Sequence, residues 1–568
     1  MTGLAEMLKA ARGDEPVDVL LTGGKILNVF TGEWLEHDLA IYQGAVVGHS
    51  AREAKETIQL NGALVIPGLI DAHIHIESTM LTPPELANVL APRGVSTLVA
   101  DPHEIANVHG LDGIRWIIDH SRNLPIEIFY WLPSCVPACP LDTSGAALEA
   151  SDLAELATDP LVVGLGEMMN FPGAIAGFPD VLAKIKLAMD NGWVMDGHAP
   201  MAAGSDLDAY LVTGIDADHE VTTPEEAMEK LRRGMRLMIR EGSAARNLAD
   251  LLPVINENTW PRISFITDDR HPDHLLREGA VDGIVRKAMK LGLDPVTAIR
   301  LATITPAQRM GWKERGHLGI GAAANFSVLR DLESFDVQET WFLGNKVAEN
   351  GATLSPVRSA IPTPPSINVA NVTPETFLLP DGEGIARVIG IQKGQIVTDD
   401  VQIPLKIVDG NPVHLPDDVV RLAVLERHTG SGRVGSGFVK GLGLKRGAYA
   451  SSVAHDSHNL VVAGCDPDSM NTAIKTIISS DGGLALADGD HLLAHLPLPI
   501  AGLMSLNSGV EVARNLEQFS VAAGEIGLTD EMLMVLSFLA LPVIPALKIT
   551  DRGLVDVTQF KHVPLWIN

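Results

Sequence analysis

Between about residues 64 and 320 the chain repeats one arrangement: a short apolar run, a polar residue at its end, then a helical stretch. Thr97-Leu98-Val99-Ala100, Ile126-Glu127-Ile128-Phe129-Tyr130, Val162-Val163-Gly164-Leu165, Trp193-Val194-Met195 and Ile263-Ser264-Phe265-Ile266 read as buried strands. Ala183 to Asp190, Pro224 to Arg233 and Pro295 to Ala302 read as helices. Strands that alternate with helices pair in parallel, because each helix carries the chain back across the sheet. An α/β stretch of about 250 residues suits a TIM-like (β/α)8 barrel. An open doubly wound sheet is the alternative. Polar residues at so many strand ends favour the barrel, whose functional groups collect where the strands finish.

The first such end is Leu69-Ile70-Asp71-Ala72-His73-Ile74-His75, after the break Pro67-Gly68. Side chains two apart on a strand point the same way, so His73 and His75 can reach one cation. Later runs finish in Glu167, in His198, in His219 and in Asp268-Asp269. Taken singly, a buried histidine or an aspartate at a helix start is an ordinary structural residue. Together, His73, His75, Glu167, His198, His219 and Asp268 form a ligand set. Imidazole and carboxylate donors suit Zn, Mn or Fe(II). Six exceed the roughly three that one catalytic zinc takes from protein. Two metal ions bridged by a carboxylate and a hydroxide use them all.

These motifs resemble the amidohydrolase superfamily: His-x-His after Pro-Gly-Leu-Ile-Asp, a bridging acid, two further histidines, then an aspartate. In many relatives the bridge is a carbamylated lysine; here Glu167 stands in that place. More narrowly, the chain resembles the long, binuclear bacterial adenine deaminases. The matching segments are His73-Ile74-His75-Ile76-Glu77-Ser78, Asp101-Pro102-His103-Glu104-Ile105-Ala106-Asn107, Asp196-Gly197-His198-Ala199-Pro200, Thr267-Asp268-Asp269 and Ser451-Ser452-Val453-Ala454-His455-Asp456-Ser457-His458-Asn459. The barrel motifs specify the superfamily; the Asp-Pro-His-Glu loop and the late motif carry the narrower likeness.

The resemblance implies hydrolysis of adenine to hypoxanthine and ammonia by a metal-activated bridging hydroxide, in purine salvage. It points to two divalent ions, Mn or Fe(II), with Zn admitted by the ligand types. Asp268 is implied as ligand and base, taking a proton from the bridging water and passing it to the leaving amine. Purine N1 needs an acid, for which Glu104 is the first candidate and Glu220 the second. Strand periodicity would turn Glu220 away from the face of His219. Glu77, Ser78, Asp101 and Asp269 are candidates to face the substrate. His103, His455, Asp456 and His458 are possible accessory groups that close the pocket or bind another metal. Dihydroorotase-like cyclic-amide hydrolysis, an adenosine deaminase-like reaction and a noncatalytic scaffold are the alternatives.

At 568 residues the chain exceeds one core. Short strands in residues 1–63 and again in 321–354 suggest one composite small β-domain. The barrel segment 64–320 is inserted within it, followed by a Pro-rich linker, 355–366, and an α+β C-terminal domain, 367–568. A net charge of −28 argues against nucleic-acid or anionic-membrane partners and leaves a small neutral substrate open. It is compatible with a homo-oligomer. Three cysteines, Cys135, Cys139 and Cys465, form no disulfide framework, and the first two read as loop thiols. No signal peptide is apparent at the N-terminus, and the uncharged run Met532 to Leu547 is too short to span a bilayer and reads as core. A cytoplasmic protein is expected. Gly430-x-Gly432-x-x-Gly435 matches a dinucleotide fingerprint only formally, since no helix clearly opens there. Glu426-Arg427-His428 before it is left open between a subunit contact and a wall of the site.

Overall fold

The structure, a computed structural model, describes residues 3–358, 361–369, 371–393 and 395–567. Met1 and Thr2, Ser359 and Ala360 of the Pro-rich stretch, and Ala370, Gly394 and Asn568 lie outside the described residues. Eight parallel strands form the barrel. β1 (Leu69–Ile74), β2 (Val95–Ala100), β3 (Glu127–Leu132), β4 (Val162–Met168) and β5 (Val194–Gly197) pair in sequence order. β6 (Ala217–Asp218), β7 (Arg236–Arg240) and β8 (Ile263–Ile266) form a second arc. The end of β8 returns to β1 through a parallel bridge between Ile74 and Asp268, where the Asp268 N–H donates to the His73 carbonyl at 3.1 Å. Strands buried on both faces explain the near-continuous apolar runs.

Trp131 on β3 is fully buried and packs with Val99, Phe129 and Met310. Its indole N–H donates to the Ala72 carbonyl at 3.3 Å. A side chain at Gly164 would collide with this indole and with the Val194 carbonyl, so the β4 run needs glycine there.

Before the barrel, Lys25–Asn28, Glu33–Leu35 and Leu64–Pro67 join a seven-stranded sheet with Phe326–Leu329, Val337–Phe342, Asn345–Glu349 and Ala352–Thr353. Leu64–Pro67, read from sequence as the start of the barrel segment, belongs to this sheet instead. It pairs antiparallel with Phe326–Leu329, and the chain enters the barrel only after Gly68. A side chain at Gly68 would run into Ser96. A second sheet holds Val17–Thr22, Leu39–Tyr42, Ala45–Gly48 and Ala54–Gln59.

The Pro-rich stretch docks on its neighbours: Asn88 donates to the Val357 carbonyl at 2.7 Å, and Thr363 Oγ accepts the Ala501 N–H at 3.0 Å. Beyond it lies a ten-stranded, largely antiparallel sheet. The helix Pro467–Ser479 packs Met470, Ala473, Ile474 and Ile477 against Ala448, Ala450, Val462 and Ala485 of that sheet. The apolar run after residue 531 folds as the helix Asp530–Phe538 and the turns that follow. No helix among the described residues is long and apolar enough to cross a membrane. The glycine-rich turn after Glu426 wraps that carboxylate, which accepts the N–H groups of His428, Thr429 and Ser431. Arg427 beside it is buried and donates to the Ala501 carbonyl, so this segment is internal scaffolding of the C-terminal domain.

Lys548 is fully buried, donating to the carbonyls of Ile396 (2.8 Å) and Phe538 (3.0 Å). Burial pushes its pKa down from 10.5 to about 7. Within that window the unfolded chain binds more protons than the folded one, so this residue's contribution to stability falls as pH falls. In Lys548→Met this slope is expected to vanish. The melting temperature of the variant relative to the parent should rise as pH is lowered from 10.5 to about 7. A difference that stays constant across that range would show an unshifted lysine.

Candidate metal centre

Each expected ligand sits where its strand finishes. His73 and His75 end β1; Glu167 lies near the end of β4; His198 follows β5, His219 follows β6 and Asp268 follows β8. The structure brings all six together. His73 Nε2 and His75 Nε2 are 3.2 Å apart. Asp268 Oδ1 lies 3.1 Å from His75 Nε2 and 3.7 Å from His73 Nε2. Glu167 divides its oxygens between two groups. Oε1 is 3.3 Å from His75 Nε2 and 3.6 Å from His103 Nδ1. Oε2 is 2.7 Å from His198 Nδ1 and 3.2 Å from His219 Nε2.

The histidine tautomers test whether cations fit. His73 Nδ1 faces the Asp196 carboxylate at 2.6 Å, and His75 Nδ1 faces the Asp101 carbonyl at 3.1 Å. Both Nδ1 atoms therefore carry hydrogen, and both Nε2 lone pairs turn inward to the acids. Two lone pairs at that separation repel unless a cation or proton lies among them. The six residues thus have the chemistry of a ligand set, and the split Glu167 carboxylate has the form of a bridge between two ions. Burial alone would raise the pKa values of Glu167 and Asp268. The facing histidines, and for Asp268 also Arg240, hold both well below the ordinary carboxylate range.

A second layer aligns the first, as ligand histidines require. Asp196 takes its other hydrogen bond from the Arg309 guanidinium at 2.8 Å, and that guanidinium lies over the Trp131 ring, 5.4 Å from its centroid. Asp71 accepts the Thr267 N–H and hydroxyl next to Asp268. Arg240 at the end of β7 donates to Asp268 Oδ2 at 2.8 Å and grips both oxygens of Glu220. Sequence reasoning missed Asp71, Asp196, Arg240 and Arg309. Asp71 precedes His73 by two and Asp196 precedes His198 by two, so the period-two rule that found the ligands also pointed beneath them.

Several expected roles change. Glu220 does not turn away from His219: β6 stops at Asp218, so strand alternation no longer governs Glu220. Its Oε1 lies 3.7 Å from His219 Nε2 and 3.6 Å from His198 Nδ1. Glu104, the first candidate for the acid at N1, does not line the cavity described below. It occupies the first turn of the helix His103–Asp119, buried between Ser78 (3.2 Å) and His455 (3.1 Å). Burial would raise its pKa, but the charge and hydrogen bond of His455 win and keep it low. Asp101, a candidate to face the substrate, accepts the Glu167 N–H at 2.9 Å and does not line the cavity described below. A side chain at Gly166 would strike that carboxylate, which accounts for the glycine before Glu167. His103 lies beside Glu167 and, at 4.0 Å, Asp456, not on an open loop. Cys135 and Cys139 are loop residues but buried.

A cavity of about 890 Å³ opens over the centre. Glu77, Ser78, Asp269, Glu220 and Arg240 line it from the barrel, and Tyr449, His455 and Phe538 from the C-terminal domain. Ser78 Oγ bonds to Asp269 Oδ1. Burial, and then the charge of Glu104, pushes Glu77 up to about 7.

Known proteins share this chain end to end. The amidohydrolase family matches residues 64–347, and the adenine deaminase C-terminal domain matches residues 395–561. A protein named adenine deaminase from Desulfatibacillum aliphaticivorans is 46% identical over 565 residues, 99% of each chain. One of the same name from Methanothrix thermoacetophila is 45% identical over 568 residues, 99% of this chain and 100% of its own. Adenine deaminase 2 of Carboxydothermus hydrogenoformans is 42% identical over 573 residues, 100% of both.

Asp196→Asn keeps the shape beneath His73 and removes the charge that fixes its tautomer. Metal retention is expected to weaken by about 10–100-fold, read as metal per chain against a chelator series. Retention equal to the parent would separate Asp196 from the centre.

Proposed function

The chain belongs to the adenine deaminases of the amidohydrolase family, and on that premise we propose that it hydrolyses adenine to hypoxanthine and ammonia. The observation that carries the reading is the split Glu167 carboxylate, each oxygen facing a different pair of histidines, in a chain whose C-terminal domain supplies part of the cavity wall. His73, His75, Glu167, His198, His219 and Asp268 would hold two divalent ions, with Mn or Fe(II) proposed and Zn compatible with the donors. Such ions, when bound, bring the pKa of water toward neutrality.

The remaining chemistry falls to the side chains. Water adds at C6, and C6 becomes tetrahedral as its electron pair moves to N1. Asp268 takes the proton released by the attacking water and hands it to the amine, which leaves as ammonia. Arg240 holds the second oxygen of Asp268, so the carboxylate keeps one orientation while the proton moves. The second proton of the water leaves the C6 hydroxyl, which becomes the carbonyl of hypoxanthine, and ends on N1. Glu220 lines the cavity with both oxygens engaged by Arg240, and Glu104 is held as an anion behind Ser78. Ser78, Glu77 and Asp269 are left to contact the purine.

A division into barrel, composite β-domain, linker and C-terminal domain gives the parts distinct tasks: ligands from the first and pocket walls from the last. Purine salvage in the cytoplasm, by a homo-oligomer, is the setting proposed for the reaction.

Mn-loaded protein offered adenine, adenosine, cytosine and dihydroorotate separately is expected to release ammonia from adenine alone. Asp268→Asn, compared with the parent at matched metal occupancy in excess Mn, should lower that rate by about 10²–10⁴-fold. No ammonia from adenine at full metal occupancy would sink the reading, and ring opening of dihydroorotate would replace it with cyclic-amide hydrolysis.

A further inference from the structure

The barrel side of the cavity is rich in acceptors, yet adenine presents acceptors of its own at N1, N3 and N7. A pocket that reads the purine needs a donor aimed at one of them, because an unpaired ring nitrogen in a buried site forfeits its hydrogen bond to water. Arg240 is occupied by Glu220 and Asp268. On the opposite wall stands His455, carried there by residues 452–459 between the strands Ala448–Ser451 and Leu460–Gly464.

Two contacts fix this imidazole, and a third ties down its loop. Its Nδ1 lies 3.1 Å from Glu104 Oε1. Its ring stacks on Phe538, with centroids 4.7 Å apart and planes at 15°. The loop that bears it is tied to the barrel, since Asn459 donates to the Thr143 carbonyl at 2.8 Å. The residue is 7% exposed, and its ring forms part of the cavity wall.

Glu104, His455 and His458 could be taken for a cation site, since their ligand atoms cluster. The tautomer of His458 argues otherwise. Its Nδ1 accepts the Ala454 N–H at 3.1 Å, so its hydrogen sits on Nε2, which then has no lone pair to offer a metal. Glu104 is therefore an anion set among imidazoles.

We propose that His455, aligned by Glu104, is the hydrogen-bond donor that reads an acceptor nitrogen of bound adenine, so that the C-terminal domain supplies a specificity-determining residue of the site. This rests on the deamination reading above. The electrostatics support the geometry. Burial would lower the pKa of His455, but Glu104, with Asp269 and Asp456, holds it up at about 9, while His458 and His271 face it from the other sides. At neutral pH both ring nitrogens then carry hydrogen, one for Glu104 and one for the ligand.

The test uses the full-length, Mn-loaded chain with adenine and its 1-deaza, 3-deaza and 7-deaza analogues, each of which lacks one acceptor. The parent is expected to bind one analogue about tenfold or more weakly than adenine. In His455→Phe, which keeps a ring to stack on Phe538, that discrimination should shrink to about twofold or less with two metals per chain retained. Glu104→Gln should shrink it in the same direction and by less. If His455→Phe does not fold, the parent panel with Glu104→Gln decides. All three analogues binding the parent as adenine does, or discrimination that survives in a variant, would overturn the proposal. A parent that releases no ammonia from adenine would instead fail the deamination reading and take this one with it.

Discussion

The site depends on one buried carboxylate shared between two sets of imidazoles. Desolvating a single ion costs several kcal/mol even after relaxation, so Glu167 is tolerable only with charge of opposite sign on both oxygens. The histidines that would hold that charge, as protons or as bound cations, come from β1, β5 and β6 and from the helix after β2, well separated around the barrel. Glu167 therefore acts as an electrostatic tie across the mouth as well as a ligand. The β4 backbone is shaped to present it. Glycine at 166 lets Asp101 approach closely enough to accept the Glu167 N–H, and the Ser134 hydroxyl donates to the Glu167 carbonyl.

The same logic continues outward. An inward-facing Nε2 requires something to hold hydrogen on Nδ1, and Asp196 and the Asp101 carbonyl do this for His73 and His75. Asp196 is itself a buried charge, so it needs Arg309, and Arg309 rests over Trp131, the side chain that fills the barrel interior. A path of direct contacts thus runs from the packed barrel interior to the ligands. Core packing sets the position of a charge, and the charge sets a tautomer. The rigidity of that path is what a metal site needs, since ligands displaced by even a fraction of an ångström lose much of their value.

What was legible in the sequence was whatever follows from local periodicity. His73 and His75 share a face because strand side chains repeat every two residues, and Glu167, His198, His219 and Asp268 stand at ends of apolar runs. The error at Glu220 has the same root. Its reading assumed a strand that continues past His219, whereas β6 has only two residues and the backbone beyond it is free to turn both side chains inward. The surroundings of Glu104 were not legible, because no local pattern says that Asp-Pro-His-Glu opens a helix whose first turn is covered by another domain. The partner that fixes Glu104, His455, lies far away in sequence, and such a pairing is set by tertiary packing. Leu64–Pro67 was assigned to the barrel for a related reason: its strand partner, Phe326–Leu329, comes after the whole barrel.

The C-terminal domain makes sense as the answer to a problem that a barrel leaves open. Ligands gathered at strand ends face solvent, and exposed charges interact weakly because water screens them. Residues 452–459 close over that face and set His455 against Glu104, with Asp456 beside it. Glu77, Glu104, Asp269 and Glu220 crowd the barrel side, and His455 stands against them as the group of opposite charge. Its imidazole neutralises Glu104, leaves a ring nitrogen for the cavity, and provides an apolar face on which Phe538 stacks. Phe538 closes the helix Asp530–Phe538, and its carbonyl accepts from the buried Lys548. The pocket wall is thereby tied to the interior of the C-terminal domain, just as the metal ligands are tied to the interior of the barrel. Recognition of the purine and activation of water can then be held by two separate cores that meet only at the cavity.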